Sequence, residues 1–161
     1  MRSSRPASSS SGGDPRVSAD SRPSTSGPAN SPAPVPPPPA GSLPRSVDKP
    51  WGHELIWAHA DRYVGKLLII ETGKRLSFQY HEAKDEWIHV LEGRLLLTLE
   101  NDDGVVEDRE LGAGECARVP IGRKHRYTAI ERATLIEVST PELDDVIRLS
   151  DDFGREGTNA P

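Results

Sequence analysis

The stretch GKRLSFQYHEAKDEWIHVLEG, Gly73 to Gly93, decides how this chain is read. It looks like two ordinary strands, yet Gln79, His81 and Glu86 interrupt its apolar residues with an amide, an imidazole and a carboxylate. A sheet ordinarily keeps such groups out of its core, because burying them without partners is costly. Strand side chains alternate faces, so Gln79 and His81 point the same way, joined by Ser77 and Arg75 if the strand is unbroken. Phe78 and Tyr80 take the other face. Glu86 follows across a short turn, on the next strand, placed to face back toward the first two.

Outward from this stretch the chain is built of short runs of β-branched, Leu and aromatic residues, separated by Gly, Pro and Asp/Asn clusters. ELIWAHA and RYVGKLLIIE come before it. RLLLTLE, the turn NDDG at Asn101–Gly104, VVEDREL, the turn GAG, ECARVP, the turn IGRK and HRYTAIERATLIEVST come after. No stretch of useful length has a helical period before PELDDVIRLSDDFG, which is expected to form a last strand or a short helix. Many short strands with regular turns predict an all-β antiparallel sandwich or barrel.

The chain has 161 residues, and not all of them can contribute to a core. Residues 1–47 are mostly Ser, Pro, Gly, Ala and a few Arg, including the polyproline run SPAPVPPPPAGS. Such a segment buries too little surface to offset its ordering entropy and reads as a disordered extension, locally extended at the prolines. Its prolines argue against an amphipathic targeting helix. The folded domain is expected over 48–154, with a flexible tail at 155–161. A formal charge of −5 with scattered basic residues gives no footprint for nucleic acid, and no apolar run is long enough to cross a bilayer or serve as a signal peptide. The single cysteine, Cys116, excludes an internal disulfide framework and fits a reducing, cytoplasmic compartment. It reads as a small, partly buried strand residue.

His125 follows PIGRK, a rigid Pro/Gly turn able to aim an imidazole at a fixed point. Two imidazoles, a carboxylate and an amide oxygen together make a four-ligand site for a divalent transition metal. His53, His59 and His89 read instead as surface or hydrogen-bonded residues, His89 alternating with inward-looking Ile88 and Val90.

These residues resemble the cupin superfamily, β-barrels of the double-stranded β-helix (jelly-roll-like) type that carry two short motifs. Gly73, Gln79, His81, Glu86 and Gly93 match the spacing of the first, with Gln79 in the place of its first histidine. Gly114, Pro120, Gly122 and His125 match the second, with Ala129 where an Asn often stands. The resemblance implies one bound divalent metal ion, zinc or manganese ahead of iron, cobalt or nickel, with Gln79, His81, Glu86 and His125 as ligands. A neutral amide oxygen in place of an imidazole leans the chemistry toward Lewis acidity rather than redox work.

A narrower resemblance covers nearly the whole folded part. KPWGHE, YVGKLLIIETGKRLSFQYHE, LGAGE, RVPIGRKHRYTA and LIEVSTPELDDVIRLSDDFGR are similar to the C-terminal cupin domain of type II mannose-6-phosphate isomerases. That domain usually follows a guanylyltransferase domain, whose nucleotide-binding signals are missing from the N-terminal segment, so guanylyl transfer is not carried over. Where the fused isomerases read Gln-x-His-x-x-Arg-x-Glu-His-Trp, this chain has Lys84 for the Arg, Trp87 for the His and Ile88 for the Trp. Lysine keeps the charge but loses the planar fork that suits phosphate. The departure leaves the metal ligands in place and bears on the substrate.

The resemblance implies aldose–ketose isomerisation of a sugar or sugar phosphate, in polysaccharide or nucleotide-sugar metabolism, by metal Lewis acid and general base. Lys66, Arg75 and Tyr127 are the candidate catalytic residues, Lys66 and Arg75 as phosphate-binding cations and Tyr127 because it shares the face of His125. Trp51, Trp57 and Trp87 read as core or rim packing. The competing readings are a metal-dependent oxygenase and a non-catalytic sugar- or metal-sensing module. The expected partners are a small sugar ligand and, through sheet edges, a second copy of the chain as a homodimer, with no nucleic acid and no membrane.

Overall fold

In the computed structural model the structure describes residues 42–157, and they form strands, turns and loops without a helix. The extension and its polyproline run, up to residue 41, lie outside the described residues, as do 158–161. Eleven strands are arranged in two antiparallel sheets. The six-stranded sheet runs in the order β1 (Arg45–Lys49), β2 (Gly52–Ala60), β3 (Tyr63–Ile70), β10 (Ala133–Ser139), β5 (Glu86–Glu92) and β8 (Cys116–Val119). The five-stranded sheet runs β11 (Ile147–Ser150), β4 (Phe78–Tyr80), β9 (His125–Ala129), β6 (Arg94–Glu100) and β7 (Val106–Gly112). Sequence neighbours such as β4 and β5 thus lie in different sheets, which is how residues close in sequence come to face one another across the interior.

Alternation does what it predicts. Along β5, Glu86, Ile88 and Val90 are buried while Trp87 and Leu91 are exposed. β10 buries Ala133, Leu135, Glu137 and Ser139. The apolar members of these inner rows pack with Leu68, Ile70, Leu95 and Leu97 into one core between the sheets. Burying such side chains supplies roughly 1.5–3 kcal/mol each, which holds the sheets face to face.

Five readings are corrected or settled. β1 begins at Arg45, so the first strand takes in residues that composition assigned to the extension. The acidic C-terminal stretch forms β11, a strand and not a helix. The strand holding Gln79 is only Phe78–Tyr80, and Arg75 lies before it, touching the sheet through an isolated bridge to Thr128. Cys116 is exposed rather than partly buried, because it faces outward on edge strand β8, with its Sγ 3.1 Å from His89 Nδ1. Of the tryptophans, Trp51 belongs to the core, whereas Trp57 and Trp87 project into solvent.

Candidate metal centre

The four residues of the two motifs converge at one end of the interior. Gln79 and His125 are register partners on β4 and β9 in the five-stranded sheet. His81 follows β4, and Glu86 opens β5 in the opposite sheet. The turn before His125 is tied to the first motif, because the Gly122 N–H donates to the His81 carbonyl at 2.8 Å. Gly122 sits at φ 79°, a left-handed conformation that side chains with a Cβ rarely adopt.

The donor atoms of His81, Glu86 and His125 all lie within 4.8 Å of one another, and all three residues are buried. His81 Nε2 is 3.6 Å from Glu86 Oε2, His125 Nε2 is 3.5 Å from Glu86 Oε1, and Gln79 Nε2 is 3.4 Å from His125 Nε2. Four donors at the corners of a tetrahedron with bonds of about 2.1 Å stand roughly 3.4 Å apart, so these spacings suit a transition-metal ion.

The tautomers suit it as well. His125 Nδ1 is 3.0 Å from the Arg123 carbonyl, and His81 Nδ1 contacts the Asp145 carbonyl. A carbonyl only accepts, so each Nδ1 carries the proton and each Nε2 turns a lone pair inward. Asp145 is itself held by the backbone N–H groups of Glu82, Ala83 and Lys84. His81 Nε2 is buried without a hydrogen-bond partner among the described residues, while Glu86 Oε2 faces the Lys84 ammonium. Burial pushes the His125 imidazolium down to about 4, so at neutral pH the ring is the uncharged form that ligates. Gln79 Oε1 accepts the Ser77 hydroxyl at 2.6 Å, leaving its nitrogen facing His125. A half-turn of the amide exchanges the two, since Ser77 Oγ accepts as readily as it donates.

The candidate catalytic residues separate. Tyr127 is buried on the face of His125 as alternation requires, but its hydroxyl donates to Glu86 Oε1 at 2.7 Å. Burial and the Glu86 charge raise its pKa well above the usual phenol range, and its hydrogen bond orients the carboxylate. Arg75 is exposed and pairs with Asp152 through two contacts of 2.7 Å, away from the centre. The short β4 is the cause: with the strand ending at Phe78, alternation no longer carries Arg75 inward. Lys66 does face inward, 3.7 Å from Glu54 and 3.4 Å from Glu137.

Lys84 and Glu137 were not among the predicted site residues. Lys84 Nζ is an ion pair 2.5 Å from Glu86 Oε2 and donates to Glu137 Oε1 at 3.1 Å. With Lys49 paired to Glu54 at 3.4 Å, alternating charges run strand by strand across the inner face of the six-stranded sheet, from Lys49 through Glu54, Lys66, Glu137 and Lys84 to Glu86. Burial opposes ionisation of Lys84, Glu86 and Glu137, and their neighbours overcome it, whereas at Lys49 burial prevails and lowers the pKa. Lys84 is raised above the usual lysine range by Glu137 and Glu86, while Glu86 and Glu137 are held below the usual carboxylate range, Glu86 chiefly by Lys84. The signal for Glu137 was in the sequence, as the one charged residue on the inward rhythm of Ala133, Leu135 and Ser139. Lys84 sits in a loop, where no periodicity marks direction.

A cavity of about 430 Å³ opens beside the centre, with Lys49, Lys66, Lys84 and Arg148 among its lining cations and Trp51 as an aromatic wall. Gln79 and Lys84 belong to both cavity and centre.

Comparison with known proteins agrees with this architecture. The chain is 33% identical over 116 residues to the mannose-1-phosphate guanylyltransferase of Escherichia coli, covering 69% of this chain and 23% of that protein. It is 32% identical to the mannose-1-phosphate guanylyltransferase ManC of Salmonella typhimurium, with the same shares. The chain therefore spans less than a quarter of the length of the curated relatives it matches. Among solved structures, KdgF from Halomonas sp. superposes with a TM-score of 0.53 at 23% identity, over 60% of this chain and 87% of that one. Oxalate decarboxylase from Bacillus subtilis superposes with a TM-score of 0.59 at 14% identity, over 66% and 30%. At such identities the two likenesses speak for the fold alone. Residues 66–139 match the cupin domain family, and that match falls on the strands and turns carrying Gln79, His81, Glu86 and His125: the chain belongs to the cupin superfamily.

Proposed function

We propose that this cupin is a metal-dependent isomerase-like protein acting on a sugar or sugar phosphate. The observation that carries the reading is the cavity: a cation-rich, aromatic-walled space that meets the candidate metal centre at Gln79 and Lys84. Ammonium groups on one side suit an anionic, oxygen-rich ligand, and its volume of about 430 Å³ is within the usual range for small-molecule sites. The kinship with sugar-phosphate enzymes supports the same ligand class.

A divalent ion held by His81, Glu86, His125 and the Gln79 oxygen would supply Lewis acidity toward a ligand carbonyl or hydroxyl. The remaining roles belong to the chain itself. Lys84, kept protonated by Glu137 and Glu86, presents a proton to a ligand oxygen at the inner end of the cavity. Lys66 supplies a second ammonium from the neighbouring strand, and Glu137 fixes both. Tyr127 holds the Glu86 carboxylate in its orientation. Trp51 excludes water from one wall.

The test is elemental analysis of the purified full chain, followed by incubation of the metal-loaded protein with phosphorylated aldoses and ketoses in deuterated water. Aldose–ketose conversion with deuterium entering at the carbon next to the carbonyl is the expected result, abolished by chelation and by His125→Ala. Bound iron with substrate-dependent oxygen consumption would establish the oxygenase instead. Tight sugar binding without conversion would establish a sensing module.

A further inference from the structure

We infer that residues 140–146, the connection from β10 to β11, are a strap that couples the candidate metal centre to the wall of the ligand cavity, with Asp145 as its positioning residue. The inference rests on the reading of Gln79, His81, Glu86 and His125 as metal ligands. The strap lies against the turn that carries the chain from β4 to β5, and each of the five residues from His81 to Asp85 is bonded to it. The Asp145 carboxylate accepts the N–H groups of Glu82 at 3.0 Å, Ala83 at 2.7 Å and Lys84 at 2.8 Å. The Asp145 carbonyl accepts the His81 Nδ1–H. Thr140 closes the other end, its N–H donating to the Asp85 carbonyl and its Oγ1 accepting the Asp85 N–H, both at 3.1 Å. The clasped turn begins at one candidate ligand, His81, and ends beside another, Glu86. The strap also belongs to the cavity, whose lining includes Leu143, Asp144 and Val146.

The clasp is strong, and little else holds the strap. Three successive N–H groups converging on one carboxylate make charge-assisted bonds, each roughly twice as strong as a neutral one. They fix the backbone of 82–84, while the carbonyl of the same Asp145 fixes the His81 ring, so one residue sets both the path of the turn and the direction of a donor. Outer partners of this kind are worth about 10- to 100-fold in metal affinity. The strap itself joins no sheet, since β10 ends at Ser139 and β11 starts at Ile147. Its Leu143 N–H donates to the Pro141 carbonyl at 2.8 Å and its Val146 N–H to the Asp144 carbonyl at 3.0 Å, bonds that travel with it. The strap can therefore leave the turn without breaking a ladder, as segments of low local stability do. Linkage is reciprocal: a closed strap that tightens the metal by about 10- to 100-fold is held closed by the metal to the same degree. A loaded centre thus keeps Leu143, Asp144 and Val146 in the cavity wall, and an empty one lets that wall open.

The experiment is amide hydrogen exchange on the full chain, dialysed free of metal and then saturated with Zn²⁺, with zinc affinity measured by competition against a chelator. The expected result is exchange across 140–146 slowed about 10- to 100-fold by zinc, and zinc binding weakened by the same factor in Asp145→Ala. In that variant the amides of Glu82, Ala83 and Lys84 should exchange faster even without metal. Asp145→Asn, whose amide oxygen still accepts, should keep part of the affinity, and Asp108→Asn, bonded to Thr98 on the five-stranded sheet, should keep all of it. A merely structural Asp145 would lower the urea midpoint of Asp145→Ala while leaving zinc affinity and the visible spectrum of the cobalt(II)-loaded protein unchanged, and that result overturns the inference. If Asp145→Ala is poorly folded, exchange in the unaltered chain decides, and a strap whose exchange ignores bound zinc overturns the inference as well. A parent chain that binds no zinc removes the metal-centre reading itself, and the strap's coupling with it.

Discussion

Two groups of charged residues in this protein have the same chemistry and opposite settings. Lys49, Glu54, Lys66, Glu137, Lys84 and Glu86 form a row inside the molecule, crossing β1, β2, β3 and β10 to the loop before β5 and its first residue, and ending on the candidate metal centre. Arg94, Glu110, Glu131, Arg109 and Glu115 form pairs on the outside, around β6 and β7. The outer pairs keep one sheet wettable and are screened by water. The inner row gives up hydration that apolar residues would not have needed, and such ion pairs often add no net stability. A fold that needed only stability would fill those positions with Leu and Val. Their placement around a cavity points to a ligand as the reason for them.

The largest expected effect breaks the inner row at its end. His81→Ala and His125→Ala should abolish metal retention in dialysed protein, read by elemental analysis, while His53→Ala and His59→Ala retain the ion like the parent chain. Equal retention by all four would remove the ligand assignment. Next, Glu137→Gln leaves two buried ammonium groups short of an anion and should cost about 3–5 kcal/mol in urea unfolding. Comparable in size is a pH effect on the metal-free protein. His125 takes a proton near 4 when folded and near 6.5 when unfolded, so the unfolded chain binds more protons between those values. Stability should therefore fall by about 3 kcal/mol as the pH drops from 6.5 through 4. The depressed Glu86 and Glu137 add to the loss below the ordinary carboxylate range. A urea midpoint unchanged between pH 7 and pH 5 would contradict this.

A subtler probe is Lys84→Met. The ammonium 2.5 Å from Glu86 Oε2 occupies the same electrostatic well that a metal ion would. Its removal should tighten metal binding by roughly tenfold or more, measured by calorimetry, since like charges a few ångströms apart repel by several kcal/mol. The metal-free variant should be destabilised, and saturating metal should restore it. At the far end of the comparison, Arg94→Ala removes the pairs to Glu110 and Glu131 and should leave the urea midpoint within the scatter of repeated measurements.

Much of the fold was legible because a half-buried strand writes its environment into every second residue. LLII, WIHVL and ATLIEVS each announced an inner row, and the two motifs placed glycine turns and donors at fixed intervals around them. Gln79, His81, Glu86 and His125 were legible because their spacing matches the two motifs of the family they resemble. Legibility ended where strands ended. Alternation places Arg75 on the face of Gln79 only in an unbroken strand, and the break before Phe78 sends it to Asp152 instead. Tyr127 was assigned the right face, but only the facing sheet shows that its hydroxyl ends on Glu86. The Asp145 carbonyl that sets the tautomer of His81 lies 64 residues away in sequence, and no local pattern connects them.

The sequence by itself therefore determined the all-β character, the turns and the inner rows, because these follow from periodicity and from short-range backbone geometry, while the set of donors came from the motif spacing it shares with a known family. Only the tertiary structure decided which charges meet. Lys66, Glu137 and Lys84 come from β3, β10 and the loop before β5, brought together by a strand order that nothing local encodes. Side-chain direction is a property of one strand, whereas side-chain company is a property of the whole sheet.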